Sequence, residues 1–163
     1  MGLGNIKSLT LKGGANMADI SAFATKDNAD EGEIFPVKID GIKVPIALKI
    51  FGSDSDVVKN YERARLRKIK IGKNGRADID NEVFEELLDT QDDTIIIRIG
   101  GLWTYDWKKE KVDESDPVVL NGQTLGCDKK SYKLLIENLP AVKDFVLEKS
   151  NDRANFLSEG KEN

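Results

Sequence analysis

Asp40-Gly41 constrains this chain more than any other pair of residues, because it stands between two runs that alternate apolar and polar side chains. An Asp-Gly pair flanked in this way is the strongest short-range signal for a two-residue β-hairpin. With these two residues as the loop, Ile39 faces Ile42, Val37 faces Val44 and Phe35 faces Ile46. All six then share one face, continued by Leu48 and Ile50, so the register buries a consistent apolar side. The same register sets Pro36 opposite Pro45 as a non-hydrogen-bonded pair, in which both N–H positions point away from the partner strand. The prolines therefore spare the hairpin and block pairing along its outer edges. The expectation is a two-stranded ribbon, or a sheet that grows only away from the prolines, with helices over its apolar face.

The hairpin runs into Gly52-Ser53-Asp54-Ser55-Asp56 and then a basic segment. Ser53 is read as a helix N-cap, with Asp56 three residues on at the spacing of a capping box. Asp54 and Asp56 complement the positive helix end, and Arg65, Arg67, Lys68 and Lys70 the negative one. Val57, Tyr61 and Ala64 form one face, and Lys59, Arg63 and Arg67 the other. Capping accounts for the acidic pair, so Asp54 and Asp56 need no metal or acid–base role.

Residues 1–32 are expected to be a flexible N-terminal arm. Within it, Asp19 to Ala24 forms one helical turn packed through Ile20 and Phe23, and Lys26 to Gly32 is a polar loop. Gly72 to Arg76 reads as a turn, with Asp78 or Asp80 capping a second helix. Phe84, Leu88, Ile95, Ile99 and Leu102 keep helical spacing, so that helix is expected from about Asn81 to about Gly100, with Gly100-Gly101 ending or kinking it. An aromatic stretch (Trp103, Tyr105, Trp107) and a charged loop, Lys108 to Asp116, follow. Val118 to Leu120 is extended and Asn121-Gly122 is a turn. Asp128 caps a third helix, Lys129 to Asn138, with Tyr132, Leu135 and Ile136 inward. Pro140 opens a fourth, carrying Val142, Phe145 and Val146, and Asn155-Phe156-Leu157 packs back.

Composition narrows the chemistry. The 163 residues carry no histidine and one cysteine, which removes intrachain disulfides, zinc sites and His-based nucleophilic catalysis. Cys127, ahead of a helix N-terminus, has no base to activate it and reads as structural. Neither GxxxxGK[ST] nor GxGxxG occurs. Gly72 to Phe84 imitates a calcium loop, but Gly72, Arg76 and Val83 stand where oxygen ligands are required. No cofactor and no metal are expected. The net charge of −4 gives no general case for nucleic acid, and no apolar run is long enough to span a membrane. What remains are candidate contact residues for a protein partner: Lys59, Arg63 and Arg67 on the basic helix face, with Trp103 and Trp107, a residue type favoured at interfaces.

Two stretches carry a resemblance. One is Ile46-Ala47-Leu48-Lys49-Ile50-Phe51-Gly52-Ser53-Asp54-Ser55-Asp56 followed by Tyr61 to Lys68; the other is Lys133 to Leu157, with Leu139-Pro140-Ala141-Val142 and Asp152-Arg153-Ala154-Asn155-Phe156-Leu157. Together they resemble the tail assembly chaperones of long-tailed (siphovirus-like) bacteriophages, over roughly Glu33 to Leu157. The resemblance implies a non-enzymatic protein of the host bacterial cytoplasm. It would bind the tape measure protein, help recruit tail tube subunits, and be absent from the mature virion. It also implies a longer form made by a programmed frameshift, and Glu159-Gly160-Lys161 is compatible with a slippery codon run. A structural virion component, of the tail or of head completion, is the alternative.

The expected architecture is therefore α+β: an N-terminal two-stranded β-hairpin followed by about four α-helices, able to self-associate. Residues 33–157 form the single domain and 158–163 a flexible tail.

Overall fold

The computed structural model describes residues 18–70 and 91–158. The start of the expected arm, the Gly72–Arg76 turn, the calcium-loop imitation and the first part of the second helix lie outside the described residues. In chain order there are a 3₁₀ turn (Ser21–Phe23), α1 (Lys26–Glu31), β1 (Glu33–Ile39), β2 (Ile42–Ile50) and α2 (Asp56–Lys70). Then come α3 (Gln91–Ile96), β3 (Ile99–Asp106), β4 (Lys111–Asp113), β5 (Val118–Leu120) and β6 (Gln123–Leu125). Helices α4 (Lys129–Asn138) and α5 (Ala141–Asn151) and a 3₁₀ turn (Arg153–Phe156) close the chain. β1 to β4 form an antiparallel sheet in sequence order, and β5–β6 is a separate ribbon. The mixed α+β class holds. The order of a hairpin followed only by helices does not, because a helix precedes the hairpin and four strands interrupt the helices.

The hairpin turn forms at Asp40-Gly41, with φ of 51° and 82°. Positive φ at both central residues is what a type I′ turn requires. Ile39 pairs with Ile42 as expected, but beyond Lys38↔Lys43 the register jumps to Pro36↔Ala47. Phe35 therefore faces Leu48, and the expected Phe35–Ile46, Val37–Val44 and Pro36–Pro45 pairs do not form. Val44, Pro45 and Ile46 span the stretch that Val37 alone spans on β1. Two extra residues keep the alternation in phase, so Val37, Ile46, Leu48 and Ile50 still reach the core while Ile42, at the tip, is exposed. The irregularity moves Pro45 into an unpaired, exposed bulge and sets Pro36 against small, buried Ala47.

The hairpin is not a closed ribbon. β2 continues the sheet by pairing Ile46–Ile50 with β3, starting beside Pro45. On β3, Leu102 uses both backbone groups on Cys127: its N–H donates to Sγ at 3.3 Å and its carbonyl accepts from Sγ at 3.4 Å. Leu102–Leu48 is thus a non-hydrogen-bonded pair, which turns Leu48 toward Phe35 and leaves the Pro36 nitrogen on the free outer edge.

The second helix ends early. Gln91–Ile96 is helical, yet Ile99, Gly100, Gly101 and Leu102 lie in β3 and do not end a helix. A bulge explains the misleading period. The register slips between Lys49↔Gly101 and Ile50↔Ile99, so Gly100 is the extra residue and both Ile99 and Leu102 turn inward. Ile95, Ile99 and Leu102 then stand at helical spacing although only Ile95 is in a helix. Gly100 is needed there, since a Cβ would come within 2.6 Å of the Phe51 ring.

The polar segment Lys26–Gly32 is a helix, not a loop. Its one buried residue is Ala29, and Gly52 N–H donates to the Ala29 carbonyl at 3.1 Å. Ile20 and Phe23 do not pack as expected; they are 71% and 45% exposed. The cap of α2 is Ser55, not Ser53: the buried Ser55 hydroxyl accepts from Val58 N–H at 3.4 Å, while Ser53 N–H donates to the Ser150 carbonyl. Asp30 accepts from Asp56 N–H at 2.7 Å, so a side chain 26 residues away completes that helix end.

The C-terminal third follows the sequence closely. Asp128 caps α4 by accepting from Ser131 N–H at 2.8 Å, and Tyr132, Leu135 and Ile136 are buried. Pro140 precedes α5, whose Val142, Phe145 and Val146 enter the same core. Asn121-Gly122 is a second positive-φ turn. Helices α3, α4 and α5 thus cover one face of the sheet, with Lys143 paired to Asp92 at 2.9 Å between α5 and α3. Phe156 is 1% exposed, so the last segment does pack back.

Candidate functional site

Trp107 follows the end of β3 and reaches across to β2. Its Nε1–H donates to the Val44 carbonyl at 2.7 Å, giving a partner to a backbone acceptor freed by the bulge. Tyr105 meets the Trp107 ring edge-on at 5.0 Å, and the Lys43 ammonium lies 5.3 Å from its centroid. The indole is half-buried.

Beside it a groove of about 380 Å³ opens between β1 and α5, lined by Phe35, Pro36, Lys38, Trp107, Phe145 and Lys149 among others. Lys149 Nζ stands 5.7 Å from the Phe35 ring and 5.4 Å from the Phe145 ring. A smaller recess of about 170 Å³ shares Lys38, Phe145 and Glu148 and extends the groove toward Asp40 at the turn. The site is thus aromatic in its walls, with Lys38 and Lys149 at its rim beside the acidic Glu148. Such surfaces hold apolar segments while keeping lysine heads in water.

Of the residues expected at a partner surface, Lys59, Arg63 and Arg67 are exposed on α2. Arg63 donates to Asn60 on its own helix at 3.3 Å. Trp103 is half-buried and lies flat over Gly101, which has no Cβ to obstruct the ring. The aromatic stretch is strand for Trp103 and Tyr105, and a turn only from Trp107. The structure gathers Trp107, Tyr105 and Lys43 and leaves Lys59, Arg63 and Arg67 apart from them on α2. On the inner side of α2, Glu62 pairs with Arg98 at 3.7 Å, and burial pushes the Arg98 guanidinium below the usual arginine range against the pull of Glu62.

Asp54 is neither a cap nor part of an acid pair. Its carboxylate accepts two bonds from Arg153, at 2.8 and 2.9 Å, and one from the Thr25 hydroxyl at 2.6 Å. Arg153 first, then Thr25, hold its pKa down at about 2. Asp56 turns instead to Lys26, at 3.1 Å. Burial, then the neighbouring Cys127, push the Tyr132 hydroxyl up to about 12. Among the described residues no group of three His, Cys, Asp or Glu could hold a metal ion, and no helix is long and apolar enough to cross a membrane.

Comparison with protein families, with curated proteins and with solved structures finds no match to this chain. The groove was partly legible in the sequence. Trp107 is singled out there, but Phe35 and Phe145 read as core, Lys43 and Lys149 carry no signal of their own, and only the fold sets them together.

Proposed function

We propose that this chain is a tail assembly chaperone of long-tailed bacteriophages. It binds the tape measure protein in the host cytoplasm and helps recruit tail tube subunits, without catalysis. It leaves before the virion matures. The resemblance across residues 46–56, 61–68 and 133–157 supports this reading. The observation that carries it furthest is the groove beside Trp107, whose aromatic walls and lysine rim suit a partner that must be held and later released.

The test is co-expression with the tape measure protein. The expected result is a soluble complex that co-purifies, and that weakens in the Trp107→Ala variant. Unchanged solubility of the tape measure protein and no complex would overturn the proposal. Mass spectrometry of purified particles separates the alternative: detection of the chain there at stoichiometric levels favours a structural virion component.

A further inference from the structure

The sheet face turned away from α3, α4 and α5 has one sign of charge. The ladder sets its rows: Ile34, Lys49 and Gly101 stand in line, then Pro36, Ala47 and Trp103, and Lys38 opposes Lys43 toward the turn. Tyr105 and Val112 share this face on β3 and β4. The charged residues at these ladder positions are Lys38, Lys43 and Lys49, on a chain whose net charge is −4; Lys38, on the edge strand, also lines the recess that holds Asp40, Asp144 and Glu148. Among the described residues none of the three forms an ion pair.

This pattern works against the fold. Like charges directly opposite one another in an antiparallel pair are destabilising. The Trp107 ring beneath the Lys43 ammonium offsets part of that cost, and Lys38 is exposed with no such ring. Apolar surface lies among the lysines: Ile34 is 49% exposed, Pro36 and Tyr105 are half-buried, and the Trp103 ring lies flat on the strand.

We propose that this face docks an acidic amphipathic polypeptide segment. The apolar side of the segment rests on Ile34, Pro36, Trp103 and Tyr105, and its carboxylates meet Lys38, Lys43 and Lys49. A second copy docked through the same face would set lysine against lysine. A nucleic acid strand would find three lysines on an acidic chain, and would leave the aliphatic surface at Ile34 and Pro36 without an apolar partner. The inference gives a partner chemistry to the chaperone reading and rests on it only for the identity of the natural partner.

The probe is a fluorescein-labelled synthetic helix with leucine on one side and glutamate on the other, titrated with the full chain at low salt. Binding is expected to weaken about tenfold or more in the triple variant Lys38→Glu/Lys43→Glu/Lys49→Glu. It is expected to survive the Lys→Arg triple, to fall as salt is raised, and to be missing for a peptide with lysine in place of glutamate. Lys38→Glu alone sets opposite charges across the ladder but adds a carboxylate to the recess of Asp40, Asp144 and Glu148, so its melting temperature should stay within about 2 °C of wild type while the peptide binds more weakly. A lysine with only a structural role would not separate those readouts. Three outcomes overturn the proposal: no peptide binding, binding that the charge reversal leaves unchanged, or a thymidine oligonucleotide bound as tightly as the peptide. Co-expression distinguishes the two readings. A tape measure complex that survives the charge reversal removes this face and leaves the chaperone function standing. No complex with the wild-type chain removes the function, and the peptide titration then decides the face by itself.

Discussion

At the Gly52 end of β2, segments from three parts of the chain lock together; at the Val44 end, one side-chain bond bridges a bulge. Around Gly52, Asn28 Nδ2 donates to the carbonyls of Phe156 and Leu157 at 3.2 and 3.0 Å. Ser158 N–H donates to the Ala24 carbonyl, Ser150 Oγ donates to the Phe51 carbonyl, and Asp54 holds both Thr25 and Arg153. Around Val44, the ladder is interrupted, Pro45 is exposed, and the Trp107 N–H is the bond that spans the gap. One end is built from sequence-distant bonds, part-buried at Asn28, Thr25 and Ser150 and exposed at Arg153. The other keeps half-buried rings and lysines facing a groove. The difference teaches where stability and availability are divided: the end that ties residues 24–28 to residues 156–158 can lose little, and the end that offers a surface can be altered with the fold intact.

The strongest way to break that contrast is at Phe156. Its ring is 1% exposed, meets Phe35 edge-on at 6.4 Å, and lies 3.0 Å from where a Gly52 Cβ would stand. Phe156→Ala is expected to cost about 3–5 kcal/mol, because it leaves a cavity that the surrounding bonds keep from collapsing. Urea denaturation measures it. A loss below about 1 kcal/mol would mean that the terminal turn contributes little and the two ends differ less than the geometry says.

The ion pair at the same end should be smaller and dependent on pH. Asp54 titrates at about 2 in the folded chain, below its ordinary 3.8. Its contribution is therefore full above 3.8 and is lost as pH falls through about 2. Arg153 is largely exposed and its charge is screened by water, so Arg153→Ala should destabilise the chain at pH 7 by much less than Phe156→Ala. The gap between variant and wild type should close by pH 2. An equal gap at both pH values would assign the effect to packing of the Arg153 stem.

What the sequence could reveal follows the same division. α4 and α5 were legible because their signals are local: a capping Asp128, a proline at the start, and apolar residues on one helical face. The Asp40-Gly41 turn was legible for the same reason. α1 was not, since only Ala29 is buried and its bonds go to Gly52 and to the last residues of the chain. The start of β3, at Ile99 and Gly100, reads as helix because the Gly100 bulge turns a period-two strand into the spacing of a helix. In the sequence Asp54 reads as a complement to the helix end, because its real partner, Arg153, is 99 residues away. The basic helix face and the tryptophans were found by residue type, but their separation, and the lysines beside Trp107, required the fold.

Trp107→Phe gives the smallest of these effects and tests the Val44 end most directly. The ring and its contact with Tyr105 are largely kept, and the Nε1–H donated to the Val44 carbonyl is removed. That leaves a part-buried acceptor without its partner, at a cost of about 1 kcal/mol. The bulge carbonyl is close to the groove and the exposed tip, so water can replace the indole more readily than it could replace Asn28 or Ser150 at the other end. Hydrogen exchange should therefore speed up at residues 43, 44, 46 and 104–107 while the amides of Gly52, Ser53 and Ser158 keep their protection. Exchange that rises equally at both ends would show that the indole bond holds the whole sheet, and the two ends would then be one cooperative unit.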